Sequence, residues 1–175
     1  MIYYQDADII VRDLERADAD IIAAGEVAQG WNATPEKYLT RLRDREAGRA
    51  VTLAATWRGE VAGYVNVYLG GNGGAFADSG WPEIVDFGVL EKYRRRGIGS
   101  KLMDVAEQIA AKYADTVYLG VGLHSGYGDA QRMYVKRGYI PDGSGAWYND
   151  AVCPEYAPCA NDDGLILYMS KRLRG

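Results

Sequence analysis

The stretch "YRRRGIGSKLM", Tyr93 to Met103, sets three consecutive arginines against Gly97 and Gly99 and then runs directly into an apolar pattern of helical spacing. Before it, "PEIVDFGVL" (residues 82–90) is apolar at both parities, with Val85, Phe87 and Val89 on one and Ile84 and Gly88 on the other. That pattern predicts a strand buried on both faces, central in a sheet. After it, Ile98, Leu102, Val105, Ile109 and Tyr113 recur at helical steps, and "TVYLGVGL" (116–123) reads as another buried strand. The arginines and glycines therefore occupy the turn from a buried strand into a helix. At such a turn the first helical amides have no partners inside the helix, and their partial positive charge favours an anion. Gly97 and Gly99 permit close approach of a phosphate, Arg94, Arg95 and Arg96 add full charges, and Ile98 and Ser100 complete the first turn. The stretch reads as a phosphate cradle.

Spacing narrows the kind of cradle. The dinucleotide pattern GxGxxG needs glycine where Leu102 stands, and the P-loop pattern GxxxxGK[ST] is not met because Gly99 is followed by Ser100 and Lys101. The pattern (Q/R)xxGx(G/A) is met by Arg94 through Gly99. Farther on, "AQRMYVKRGY" carries Tyr134, Gly138 and Tyr139 on a second helix and its exit. With these two motifs in this order the chain resembles the GNAT superfamily, the acyl-CoA-dependent N-acyltransferases. The resemblance rests on motif from Glu83 to Tyr139 and on the order of elements elsewhere.

The resemblance implies an α+β fold in one domain over residues 1–175, with a mostly antiparallel, splayed central sheet of about six to seven strands flanked by about four helices. It implies N-acetyl transfer from acetyl-CoA to a primary amine in a ternary complex, without a metal. By the same resemblance the cofactor-binding residues are Arg94, Arg95, Arg96, Gly97, Ile98, Gly99 and Ser100 at the diphosphate, and the backbone of Phe87, Gly88 and Val89 at pantetheine. One amide of that strand polarises the thioester carbonyl. Members often place asparagine near the start of the tyrosine helix; the candidates here are Ser125 and Asp129.

An alkylammonium must lose a proton before it attacks, so a base is required. Glu83 stands eleven residues before Arg94, the spacing of the general-base glutamate in the histone-acetylating branch of the superfamily. Asp86, three residues later, faces the opposite side of an unbroken strand and is the second candidate. A histidine has an unperturbed pKa of about 6.5, and His124, the single one, follows the strand at 116–123; a water chain is the remaining alternative. Tyr134 matches the family's tyrosine general acid for the departing thiolate.

Composition is consistent with this chemistry. At 175 residues and 48% hydrophobic content the chain can bury one substantial core, and its formal net charge of −4 argues against nucleic acid or anionic lipid as a partner of the whole surface. Cys153 and Cys159, with five residues between them, fit neither a metal knuckle nor a disulfide framework and read as reduced thiols of a cytoplasmic protein. The N-terminal segment has no leader pattern, and no apolar run reaches the roughly 18 residues of a membrane span. Two other readings remain open: a noncatalytic CoA-binding module, and a nucleic-acid binder that uses the arginines.

Outward from the cradle, a first strand is expected at Ile9–Arg12, then a helix with Leu14, Ala17, Ile21, Ala24 and Ala28 on its apolar face. A second helix should start at Thr34 and Pro35, with Tyr38, Leu39 and Leu42 facing inward. Residues 50–69 form a hairpin turning at Arg58-Gly59, a helix runs from Asp129 to Arg137, and residues 164–173 supply a last strand. A swapped or paired terminal strand would make a homodimer. Acceptor identity is expected to lie in the N-terminal helices, the 70–81 loop and the 143–163 region, with Trp31, Trp81, Trp147, Tyr148 and Tyr156 as candidate lining. The acids Asp150, Glu155, Asp162 and Asp163 favour a cationic small-molecule or peptide amine.

Overall fold

In the computed structural model, which describes residues 1–173, nine strands and four α-helices alternate as a mixed α+β fold. The described residues thus carry two to three strands more than expected. The chain folds as two interleaved units, Met1–Leu69 with Ile84–Ile109, and Gly70–Glu83 with everything from Ala110 onward.

The first unit contains β1 (Ile2–Gln5), β2 (Ile9–Asp13), α1 (Arg16–Ala28), α2 (Pro35–Glu46), β3 (Ala50–Trp57), β4 (Glu60–Tyr68), most of β5 (Glu83–Val89) and α3 (Ile98–Ala110). Its strand order is β1-β2-β3-β4-β5. The β3–β4 hairpin turns at Arg58 and Gly59, both left-handed (φ 49 and 89), the geometry that matches strand twist in a two-residue turn. β1 escapes the sequence pattern because it is a short edge strand with half-exposed residues.

α1 forms where expected, but with a different face inward. Ala19, Ile22, Ala23 and Glu26 are buried, whereas Ile21 is 50% exposed and Ala24 and Ala28 lie outside. Alanine fits either of two adjacent stripes, and the buried stripe ends in an acid, so hydropathy favoured the wrong one. The start of α1 is fixed by a capping box, with the Glu15 amide donating to Asp18 at 2.7 Å, and by Arg12 forking onto the two Asp18 oxygens at 2.7 and 2.9 Å. Pro35 opens α2 behind Thr34, which occupies the N-cap position without a side-chain capping bond. Tyr38 and Leu42 join Leu14, Ile22, Ala54, Val61 and Tyr64 in one core.

In α3, Ile98, Leu102, Val105 and Ile109 are buried as their spacing predicts, but Tyr113 follows the last helical turn and is 55% exposed. β5 is also less buried than predicted. Ile84 and Gly88 are buried, while Val85, Asp86, Phe87 and Val89 are half-buried, and Asp86 takes a left-handed backbone (φ 54) that interrupts the two-residue alternation.

The second unit contains β6 (Thr116–Gly122), α4 (Gly128–Lys136), β7 (Ile140–Tyr148), β8 (Ala151–Val152) and β9 (Ile166–Arg172), ordered β6-β9-β7-β8 with antiparallel pairing throughout. β9 pairs with β6 along its whole length, from Thr116 opposite Arg172 to Gly122 opposite Ile166. α4 closes as anticipated, through left-handed Gly138 (φ 88) and a bond from the Tyr139 amide to the Tyr134 carbonyl at 3.0 Å. Cys153 and Cys159 are free thiols. Among the described residues no helix is long and apolar enough to cross a membrane.

Candidate active site

In the first unit the arginine-glycine turn leads into α3. The Gly97 carbonyl accepts from the Lys101 amide at 3.1 Å, so Gly97 stands at the N-cap, and the amides of Ile98, Gly99 and Ser100 precede the first intrahelical bond. The two glycines have different surroundings. Gly97 is left-handed (φ 81), with open space where a side chain would point. Gly99 packs α3 onto β5, for a Cβ there would lie 3.1 Å from Phe87 Cζ and 3.6 Å from Val89 Cγ2. Arg95 is exposed and left-handed (φ 64). Arg94 lies over the Trp31 ring at 5.7 Å and within 3.6 Å of Glu91, and Arg96 lies over Trp57 at 5.2 Å. The ring contacts hold two guanidinium groups at the turn and leave the arrangement strongly cationic.

Behind the middle of β5, α2 presents two cations to Asp86. Arg41 Nε donates to Oδ2 at 2.7 Å and Lys37 Nζ lies 3.6 Å from Oδ1. Arg41 Nη1 also donates to the Tyr68 hydroxyl at 2.5 Å, and that hydroxyl donates to Asp44. Burial alone would lower the Arg41 pKa, but the Asp86 charge and hydrogen bond outweigh it and raise the pKa above its ordinary value. Deeper in, the buried Glu26 carboxylate accepts from both the Tyr38 and the Tyr64 hydroxyl, the latter at 2.6 Å. Lys37 lies over both rings at 5.5 and 5.4 Å and donates to the Tyr64 oxygen at 3.3 Å. The Tyr64 ring abuts β5, since a Cβ on Gly88 would stand 2.9 Å from Tyr64 Cε1. Burial, followed by nearby Tyr38 and Glu26, holds the Tyr64 phenol well above its ordinary pKa.

In the second unit Glu83, buried at 9% exposure, has its Oε2 3.2 Å from the Tyr118 hydroxyl. The Tyr118 hydroxyl oxygen also lies 3.1 Å from the Gly73 carbonyl and accepts from the Asn72 amide at 3.1 Å. Burial, then the Glu83 charge, pushes the Tyr118 phenol above its ordinary pKa. Glu83 and Asp86 therefore have separate partners. Tyr134 is buried on α4, its ring 5.7 Å from that of Tyr139, and burial, then Tyr127, raises its pKa above the ordinary phenol value. Asp129 lies in the first turn of α4, exposed.

His124 is committed to its own loop. Its Nδ1 accepts from the Gly126 amide at 3.0 Å, which assigns the ring proton of the neutral form to Nε2, 2.9 Å from Asp163 Oδ1. The Tyr127 hydroxyl donates to the same Asp163 oxygen at 2.9 Å. Neither ring nitrogen offers a lone pair to a substrate in this arrangement.

Trp31 supports Arg94, and Tyr156 is 96% exposed. Trp81 meets Phe76, which meets Tyr118, and Trp147 packs edge-on against Tyr168. Tyr148 lies 3.4 Å from Asp162. Tyr118, Arg41 and Tyr64 were missed by sequence reasoning, because each sits in an otherwise ordinary strand or helix pattern. Glu26 carried a signal, an acid in phase with Ala19, Ile22 and Ala23.

A family model described as Acetyltransferase (GNAT) family matches residues 12–139. No curated protein matches the chain. Among solved structures, yncA of Salmonella typhimurium, an acetyltransferase with its cofactor acetyl-CoA, is 15% identical over 95% of this chain and 94% of its own, with a TM-score of 0.68. Ard1 of Thermoplasma volcanium is 20% identical over 95% and 98%, with a TM-score of 0.68. An Arabidopsis thaliana protein in complex with the bisubstrate analogue CoA-Ac-MVNAL is 19% identical over 94% and 99%, with a TM-score of 0.64. At these identities the structures establish a shared fold.

Proposed function

The chain belongs to the acetyltransferase (GNAT) family, and on that premise we propose that it transfers an acetyl group from acetyl-CoA to a primary amine by direct attack, the whole chain acting as one catalytic domain. The family match from residue 12 to 139 draws on both units, which supports a single domain. The observation that carries the reading is left-handed Gly97 ahead of the Ile98, Gly99 and Ser100 amides, with guanidinium groups around them. This donor set suits a diphosphate: helix-start amides and full positive charges, with Glu91, 3.6 Å from Arg94, as the carboxylate at its edge.

When bound, acetyl-CoA supplies the activated acyl group and a thiolate leaving group. Arg94, Arg95, Arg96 and the α3 amides bind its diphosphate, and the backbone of Phe87–Val89 orients the arm. Glu83 receives the proton that an alkylammonium must lose, its carboxylate steadied by the Tyr118 hydroxyl. Asp86 is already engaged by two cations, and His124 is already hydrogen-bonded at both nitrogens. Tyr134, a phenol protonated at neutral pH, donates to the departing sulfur. A small-molecule or peptide amine fits this scheme, and the analogue bound by the Arabidopsis protein joins CoA to a peptide sequence.

Thiol release from acetyl-CoA across a panel of alkylamines, polyamines and peptides, with calorimetry of CoA binding, tests the reading. Release with at least one amine is expected. CoA binding without release from any amine would leave a noncatalytic CoA-binding module, and absence of binding to either ligand would remove the family chemistry altogether.

A further inference from the structure

Asp86 is the single non-glycine residue inside β5 with a left-handed backbone (φ 54), and its carboxylate is engaged by two cations of α2. The two facts belong together. L-residues disfavour this conformation, and although aspartate tolerates it better than most, in a strand the extended form is the relaxed alternative. Something must hold the residue over. Arg41 Nε reaches Oδ2 at 2.7 Å and Lys37, one turn earlier on α2, lies 3.6 Å from Oδ1, so the carboxylate is held at both oxygens. Arg41 is in turn fixed at its other end, where Nη1 donates to the Tyr68 hydroxyl. The clamp thus runs from β4 through α2 to the middle of β5.

A left-handed residue re-aims the amides that follow it, and here those belong to Phe87 and Gly88, the segment assigned above to the acyl arm. We propose that Arg41 is a positioning residue: acting through Asp86, it locks the kink of β5 and thereby fixes where the strand presents its backbone to the thioester. This rests on the acetyl-transfer reading. It assigns the Asp86 carboxylate a mechanical role in place of a proton-accepting one, and Lys37 a supporting role on the second oxygen.

Paired substitutions separate these roles. Asp86→Gly and Asp86→Ala both delete the carboxylate, but only glycine adopts positive φ without strain. Amide hydrogen exchange over residues 84–89 of the ligand-free protein should be about tenfold faster in Asp86→Ala than in Asp86→Gly, and kcat about tenfold lower. Arg41→Ala should lower kcat while leaving the affinity for free CoA, which is set at the α3 turn, within about twofold. Adding Asp86→Gly to Arg41→Ala should restore at least half of the lost rate on a logarithmic scale. Thermal unfolding of each variant identifies any that fails to fold, and the Gly/Ala comparison does not depend on Arg41→Ala folding. Equal impairment of the two Asp86 variants in exchange and rate would show that the carboxylate itself is needed and overturn the lock. Wild-type behaviour of both, or failure of Asp86→Gly to rescue Arg41→Ala, would overturn it as well. If the wild type releases no thiol with any amine, the acetyl-transfer reading fails and the exchange comparison alone decides the lock.

Discussion

The Tyr118 hydroxyl lies 3.2 Å from Glu83 Oε2 while it also accepts from the Asn72 amide and faces the Gly73 carbonyl, each at 3.1 Å. One phenol therefore joins the candidate base to the start of the loop that carries residues 70–81. The loop's Phe76 packs on the same ring, with centroids 5.2 Å apart. Order in the loop and orientation of the carboxylate are coupled through a single side chain.

Two substitutions at this contact should have different effects. Glu83→Gln removes the proton acceptor and should lower kcat by about a hundredfold or more, with CoA affinity unchanged. Tyr118→Phe keeps the carboxylate but releases the Asn72 amide, so it should cost about 1 kcal/mol in urea unfolding and reduce kcat by a smaller factor. Equal turnover of Glu83→Gln and wild type would transfer the base to another group.

At the cradle, Gly97→Ala and Gly99→Ala should both weaken CoA binding, for separate reasons. Alanine at position 97 must adopt φ 81, which costs roughly 1–2 kcal/mol of stability as well as affinity. At position 99 the new methyl meets Phe87 Cζ at 3.1 Å and pushes α3 away from β5. Calorimetry of CoA binding beside thermal unfolding distinguishes them: the first variant loses both quantities together, and the second loses affinity more than stability.

Much of this arrangement was legible in the sequence because the signals were local. The turn into α3 follows from arginines, glycines and an apolar helix period within eleven residues, and Gly138 announces the end of α4 by itself. What was not legible depends on long separations. Arg41 and Asp86 are 45 residues apart, and Glu26 and Tyr64 are 38 apart, so neither pair leaves a periodic trace. The α1 stripe was misread because Ala17, Ala24 and Ala28 score as apolar although they face outward, while the buried Glu26 scores as polar. The left-handed Asp86 is invisible for another reason: aspartate is ordinary at a strand position until the cations around it are known.

The tyrosines make a prediction about alkaline pH. Tyr38, Tyr64, Tyr118 and Tyr134 are all held above the ordinary phenol value of 10.0, chiefly by burial, and Tyr68 is pushed up to about 12 by burial and its bond to Asp44. The fold prefers the neutral phenol. Each folded pKa lies above the unfolded one, so the stabilisation is complete below pH 10 and is lost as pH rises from 10 through the folded values. Denaturant midpoints should therefore stay level in this respect up to about pH 10 and fall above it. Phenolate absorbance should show these residues ionising only as the protein unfolds. Ionisation of Tyr38 and Tyr64 near pH 10 in the folded protein would contradict their placement.

Glu26 offers the sharpest test of how the first unit supports the site. Its carboxylate is buried and accepts from two buried hydroxyls, of Tyr38 and Tyr64, whose rings meet edge-to-face at 5.0 Å. Truncation to alanine strands both hydroxyls and opens a cavity, and each stranded hydroxyl costs about 1–3 kcal/mol. Glu26→Gln keeps the volume and an acceptor oxygen, so it should cost less than half as much in urea unfolding. The effect should also reach β5, because the Tyr64 ring lies against Gly88 with no room for even a Cβ between them. Once Tyr64 is released, Gly88 loses its backing, and affinity for acetyl-CoA should fall in Glu26→Ala but hold in Glu26→Gln. If both variants lost stability without any change in affinity, the packing of Tyr64 on Gly88 would serve the core alone.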